Sequence, residues 1–266
     1  MTKRFVSDYH DQVVQMHKDG YRLWQIGKVI GVGRQAVSNY LEKVGVREKH
    51  WFRKHFYNEK FFDKINTEEK SYVLGFWYAD GCNSPEERKV KLSLHKKDED
   101  TLRKIANAIG YNESFIDDPQ PKKKTHMKIL SLDSVYMSKS IAAAGCVKAK
   151  TFKIRLPIDV VPGHLMHHFI RGYFDGDGSI GRYERYYRMS FGGNKKFLSD
   201  LQTWLSVFDI VSGITSCKHA DERYRYLNIS NKNVKNLIQL MYHDATIYMD
   251  RKHDRAMDAM SARRKG

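Results

Sequence analysis

A chain of 266 residues, 41% of them hydrophobic, is long enough for two globular units with cores of their own, which excludes a disordered polyelectrolyte. Its 47 lysines and arginines stand against 31 acids and leave a formal charge of +16, spread over the whole length, so a polyanion is the expected partner and nucleic acid the best fit. Cys82, Cys146 and Cys217 show no C-x-x-C spacing, which argues against a disulfide framework or a zinc site, and no apolar run reaches bilayer length, so a cytoplasmic protein without a membrane partner is expected.

From Ser7 to Val46 the pattern is helical, broken at Asp19-Gly20 and Gly31-Val32-Gly33. Three short helices follow. Ser7 is placed to cap the first, which uses Val13, Val14 and Met16; the second carries Trp24, Ile26, Val29 and Ile30; the third, 34–43, buries Val37 and Leu41. Two short helices joined by a glycine-bearing turn form a helix-turn-helix, here over 1–50, whose last helix leaves Arg34, Gln35, Ser38 and Asn39 open for base edges and phosphates. An ordinary three-helix module with a solvated face fits the same segment. Residues 51–66 mix basic and aromatic side chains without period and read as a tether.

The remaining chain, 67–266, contains a repeat. Ser71-Tyr-Val-Leu-Gly-Phe-Trp-Tyr-Ala-Asp-Gly81 aligns with His168-Phe-Ile-Arg-Gly-Tyr-Phe-Asp-Gly-Asp-Gly178, so that Gly75 and Gly172, Asp80 and Asp177, and Gly81 and Gly178 each lie 97 residues apart. A basic alternating stretch, an amphipathic helix, a second strand and another helix follow each copy: 89–95, 98–109, 126–132 and 134–144, then 185–191, 195–207, 223–230 and 233–242. Each half, 67–147 and 148–266, reads as α-β-β-α-β-β-α in outline, with its first strand short and poorly marked, so the whole is a duplicated α+β unit.

Gly75 and Ala79, like Gly172 and Gly176, are small residues four apart, which clears one helix face for backbone-to-backbone packing. Each helix stops at Asp-Gly, where Gly81 and Gly178 suit a left-handed cap. Asp80 and Asp177 then sit at the negative ends of two helix dipoles, where a cation should accompany them, and a pair of crowded carboxylates suits a hard divalent ion such as Mg²⁺. A single Asp-Gly is usually only a helix stop; two in matched contexts are not.

Alternation in the strands puts Val90, Leu92 and Leu94 inward and Lys89, Lys91, Ser93 and His95 outward. In the second half Tyr187, Met189 and Phe191 face in, with Tyr186, Arg188 and Ser190 out; around Leu227 and Ile229 the outward set is Tyr224, Tyr226, Asn228 and Ser230. Such rows can follow a DNA groove, or simply face water. His167 and His168, being adjacent, are expected to point to different helix faces and not to share a metal.

Leu-Gly-Phe-Trp-Tyr-Ala-Asp-Gly (74–81) and Ile-Arg-Gly-Tyr-Phe-Asp-Gly-Asp-Gly (170–178) resemble the two motifs of a single-chain LAGLIDADG homing endonuclease of the bacterial and phage type with an N-terminal helix-turn-helix. The phrases at 61–70, 150–157 and 247–252 share in the resemblance, which covers about 58–255. It implies a pseudo-twofold interface of the motif helices, two saddle-shaped antiparallel sheets lying on a long duplex DNA site, and a monomer. It also implies divalent ions, Mg²⁺ with Mn²⁺ or Ca²⁺ as substitutes, held by Asp80 and Asp177 with the peptide oxygens of Ala79 and Gly176, and hydrolysis of both strands. A lysine or glutamine near each metal is part of the family pattern; Lys124 in the first half and Lys218 in the second are the candidates here, with Lys97 and Lys195 in competition. The family's earlier motif acid is Asp175 in the second copy but Tyr78 in the first. A DNA-binding regulator without cleavage and an intron RNA maturase are the competing functions; intact Asp80 and Asp177 speak against the first, a helix-turn-helix against the second.

Overall fold

The computed structural model describes residues 6–46, 57–84, 89–121, 124–183, 186–216, 221 and 223–262. The chain forms two compact units, Met1–Lys54 and His55–Gly266.

The described residues of the first unit hold three α-helices, α1 (His10–Lys18), α2 (Leu23–Ile30) and α3 (Arg34–Lys43), around Val13, Ile26, Ile30, Val37 and Leu41. The turn after α2 depends on glycine twice. Gly31 ends the helix in the left-handed region at φ 73°, and a Cβ on Gly27 would stand 2.6 Å from the Val32 carbonyl oxygen. Two expectations fail here. Ser7 lies in a 3-10 turn ahead of α1 and caps nothing. Trp24 and Val29, expected on the apolar side of α2, are 53% and 56% exposed, because Ile26, Gly27 and Ile30 fill the inner face of so short a helix.

In the second unit, α4 (Glu68–Asp80) is followed by β1 (Gly81–Ser84), β2 (Lys89–His95), α5 (Glu99–Ile109), β3 (Ile116–Gln120), β4 (Thr125–Asp133) and α6 (Val135–Ala143). The order then repeats with α7 (Met166–Asp177), β5 (Gly178–Tyr183), β6 (Tyr186–Asn194), α8 (Lys195–Ser206), β7 (Gly213–Ser216), β8 (Tyr224–Ser230) and α9 (Lys232–Tyr242). Each half makes one antiparallel four-stranded sheet, ordered β1-β2-β4-β3 and β5-β6-β8-β7.

One core serves both halves. Residues Ser71–Tyr78 of α4 are all buried, as is α7 from His168 to Asp175, so neither helix shows the one-sided pattern of a surface helix. They pack backbone on backbone. A Cβ on Gly75 would stand 2.0 Å from the Phe169 carbonyl oxygen, and one on Gly172 2.0 Å from that of Tyr72. Residues 72 and 169 are twofold mates in the 97-residue repeat, so the same close approach occurs twice.

The expected tether over 51–66 is corrected for its second part: Phe61, Phe62 and Ile65 are buried in this core, Phe62 meets Trp77 edge-on, and Asp63 accepts from Tyr136 and Ser140 of α6. Residues 51–56 lie outside the described residues. Beyond α9 there is one more helix, α10 (Asp250–Ser261), whose buried positions are Lys252, Ala256 and Ala259. No helix among the described residues is long and apolar enough to cross a membrane.

Candidate active site

Helices α4 and α7 end side by side. A Cβ on Gly176 would stand 2.2 Å from that of Ala79 and 3.1 Å from the Asp80 Oδ2, so the Asp80 carboxylate lies against the residue preceding Asp177. Both aspartates are exposed, yet protein crowds them from most sides. Burial, and then the charge of Asp177, raise the Asp80 pKa to about 6. Burial raises that of Asp177 as well, against the lowering charges of Lys150 and Lys252. Two carboxylates that resist ionising together, open to solvent at a common point, fit a divalent cation held through oxygen.

Gly81 and Gly178 do not take the expected left-handed form: their φ values are −72° and −88°, extended, and each opens a strand at once. They are glycines for want of room. A Cβ would meet the Trp77 ring at 2.1 Å and the Phe174 ring at 2.2 Å, respectively.

The cations expected at the helix ends are Lys150 and Lys252. Lys252 is buried, and its Nζ donates to the carbonyl oxygens of Phe174 at 2.6 Å, Asp175 at 2.7 Å, Gly176 at 3.2 Å and Gly178 at 2.6 Å. Those of Asp175 and Gly176 are orphan acceptors of the α7 C-terminus, Phe174 O also accepts from Gly178 N, and Gly178 opens β5. Burial lowers its pKa to about 8 against the raising effect of Asp175. Lys150 donates to Ala79 O at 2.9 Å. The peptide oxygens of Ala79 and Gly176, expected as metal ligands, thus each hold an ammonium and keep one lone pair for anything else.

Of the lysines considered from sequence, Lys124 sits exposed in the β3–β4 turn at φ 52°, and Lys97 and Lys195 are exposed at the starts of helices; Lys218 lies outside the described residues. The positive charges acting on Asp80 and Asp177 come from Lys150 and Lys252 instead. Both stand in phrases that carry the family resemblance, 150–157 and 247–252, the only signal sequence offered for them.

Asp175 and Tyr78, the unmatched pair, lie fully inside the interface. Asp175 accepts from Tyr72 OH across it at 2.8 Å and from Met249 N at 2.8 Å, with burial raising its pKa to about 6. Tyr78 donates to Ala144 O at 2.7 Å and meets Phe169 edge-on.

The sheets set their inner rows, Val90-Leu92-Leu94 and Met189-Phe191 with Leu227-Ile229, into the core. On the opposite face lie Lys89, Lys91, Ser93 and His95 in the first half. In the second these are Tyr186, Arg188 and Ser190 with Tyr224, Tyr226 and Asn228; Ser190 donates to Asn228 Oδ1, and Asn228 Nδ2 donates to Thr215 Oγ1. In the first unit Arg34, Gln35 and Asn39 are exposed on α3, Gln35 donating to Asn39. Ser38 is a correction: it is 8% exposed and donates to Glu42, one turn on, not outward.

His167 and His168 also depart from expectation. Their rings lie 3.8 Å apart, and with Asp244 their ligand atoms fall within 4.8 Å of one another. Arg171 Nη1, always a donor, gives its proton to His168 Nδ1 at 2.9 Å, which puts the ring's own proton on Nε2 and takes away the lone pair a metal would need. This cluster clamps the start of α7 against the α9 end.

Residues 165–241 match the model of a family described as LAGLIDADG-like domain. Among curated proteins, the chain is 25% identical over 237 residues to the replication factor C small subunit of Methanocaldococcus jannaschii, with 87% of this chain and 11% of that protein covered. It is 27% identical over 175 residues to the probable translation initiation factor IF-2 of the same organism, with 62% and 14% covered. The chain therefore spans 11% and 14% of the lengths of these relatives. Among solved structures, the homing endonuclease I-WcaI bound to its DNA recognition sequence superimposes with a TM-score of 0.53 at 12% identity, over 71% of this chain and 87% of that one. The second unit has the duplicated LAGLIDADG fold.

Proposed function

We propose that the chain is a site-specific, single-chain DNA endonuclease that cuts both strands of a long duplex site. The observation that carries this reading is the meeting of two solvent-open carboxylates, Asp80 and Asp177, at the abutting ends of α4 and α7. They would hold divalent ions, Mg²⁺ in the first place, which supply polarisation of the scissile phosphoryl oxygen and acidification of the attacking water. Lys252 and Lys150 draw off the negative ends of the two helix dipoles and lower the charge that the site presents to a phosphodiester. The outward sheet rows lie along the duplex, and Arg34, Gln35 and Asn39 of the N-terminal helix-turn-helix touch a flanking segment. One such chain carries both halves of the site, so it acts as a monomer.

One observation favours a second reading. The Ala79 and Gly176 oxygens already hold ammonium groups, which would let the helix ends stand without metal, as in a DNA-binding regulator that does not cut. Incubating the full chain with duplex DNA from its own host locus, with Mg²⁺ or with EDTA, separates the two. Cleavage with Mg²⁺ only is expected, falling by about 100-fold or more in Asp80→Asn and in Asp177→Asn while retardation of the duplex persists. Retardation without cutting under every divalent ion would leave the regulator.

A further inference from the structure

The outward face of the second sheet holds an arginine in an arrangement that no other described arginine shares. Arg155, Arg171, Arg223 and Arg251 are each bound to a carboxylate (Asp200, Glu68, Asp221 and Asp98), and Arg103 lies over the single ring of Phe115 and donates to Glu113 O, whereas Arg188 lies over two rings. Arg188, on β6, has no carboxylate within ion-pair distance among the described residues. Its guanidinium carbon lies 4.7 Å from the Tyr183 ring centre and 5.8 Å from that of Tyr186, two rings stacked within 19° of parallel, and its Nη2 donates to Tyr186 OH at 3.0 Å. Its cross-strand neighbours are Gly181 on β5 and Ser230 on β8, so no bulky side chain stands beside it in the row.

A guanidinium held by aromatic rings and one hydroxyl keeps most of its five donors free and loses little freedom on binding. So held, it offers its remaining donors to an acceptor that comes from outside. On duplex DNA two acceptors suit it, a phosphate or the O6/N7 edge of guanine. The fork can pair bidentately with either, and its place in a sheet row that the reading above lays along the groove favours the base edge. We propose that Arg188 reads a guanine in the part of the DNA site covered by the second sheet. The proposal rests on the DNA-binding reading above, and it adds which residue determines specificity and for which base.

The test is selection of bound duplexes from a randomised pool by the full-length chain in EDTA, followed by affinity measurements over a range of salt. The wild-type motif should contain one near-invariant G·C pair that Arg188→Ala releases, with roughly 10- to 100-fold less discrimination at that position and the rest of the motif unchanged. Arg188→Gln should move the preference there towards A·T, since glutamine pairs bidentately with adenine. Tyr183→Leu should weaken the same preference without abolishing it. An unchanged motif in Arg188→Ala would overturn the proposal. So would uniform weakening over all sequences with a salt slope lower by about one contact, the mark of a phosphate ligand. A wild-type chain that retains no duplex at all would defeat the DNA-binding reading beneath it, a result distinct from either.

Discussion

The first and second halves of the duplicated unit have the same strand order and the same glycine-to-carbonyl approach, but differ in the chemistry set on that frame. Where α7 offers Asp175 to the Tyr72 hydroxyl, the twofold-related pair is Tyr78 against Phe169, an edge-on ring contact. Lys252 holds four carbonyls at the end of α7; Lys150 holds one at the end of α4. The outward row of β2 is two lysines, a serine and a histidine, while Tyr186, Arg188, Ser190, Tyr224, Tyr226 and Asn228 on β6 and β8 carry three tyrosines and one arginine. Shape is duplicated because backbone packing of α4 on α7 demands it. Side-chain chemistry is free to diverge wherever a hydrogen bond and an aromatic edge fill the same space.

The lysines break the symmetry most. Lys252→Met removes an ammonium from four carbonyls, two of them buried, and should cost about 3–5 kcal/mol in denaturant unfolding, whereas Lys150→Met, which releases one, should cost about 1 kcal/mol. Equal losses would mean that the two helix ends are held alike.

A smaller effect comes from His168, which belongs to the second half alone, its repeat mate being Ser71. Burial, then the charges of Arg171 and His167, depress its pKa from 6.5 to about 4. A depressed histidine contributes stability that is fully present above pH 6.5 and lost as pH falls to about 4, here about 3 kcal/mol over that window. His168→Gln, an uncharged acceptor for Arg171, should flatten stability against pH there; an unchanged acid transition would remove His168 from the account. Comparable to Lys150→Met is Tyr72→Phe, which gives Asp175 a ring edge in place of a hydroxyl and should cost about 1–2 kcal/mol at neutral pH by the same unfolding measurement.

The sequence made these halves legible to unequal depth. The repeat, the small residues at Gly75, Ala79, Gly172 and Gly176, and the period-two strands are local patterns, and they located the helix interface, the two aspartates and the outward rows. Helix α10 escaped because its buried stripe is Lys252, Ala256 and Ala259, with no large apolar residue to mark a period. The 57–66 segment escaped because it turns instead of repeating, so Phe61, Phe62 and Ile65 read as scattered aromatics. Lys150 and Lys252 bind carbonyls 71 and 74–78 residues away in the chain, a distance over which spacing says nothing. Ser38 misled because a serine on a polar helix face has two outlets, and Glu42 one turn on supplied the nearer.

The central claim is that Asp80 and Asp177 serve one shared cation site. Mn²⁺ binding to the full-length chain on duplex DNA, followed by electron paramagnetic resonance, tests it most directly. The account predicts that Asp80→Asn alone and Asp177→Asn alone each abolish tight binding. It is contradicted if each single variant keeps half of the manganese at unchanged affinity and only the double variant loses it all.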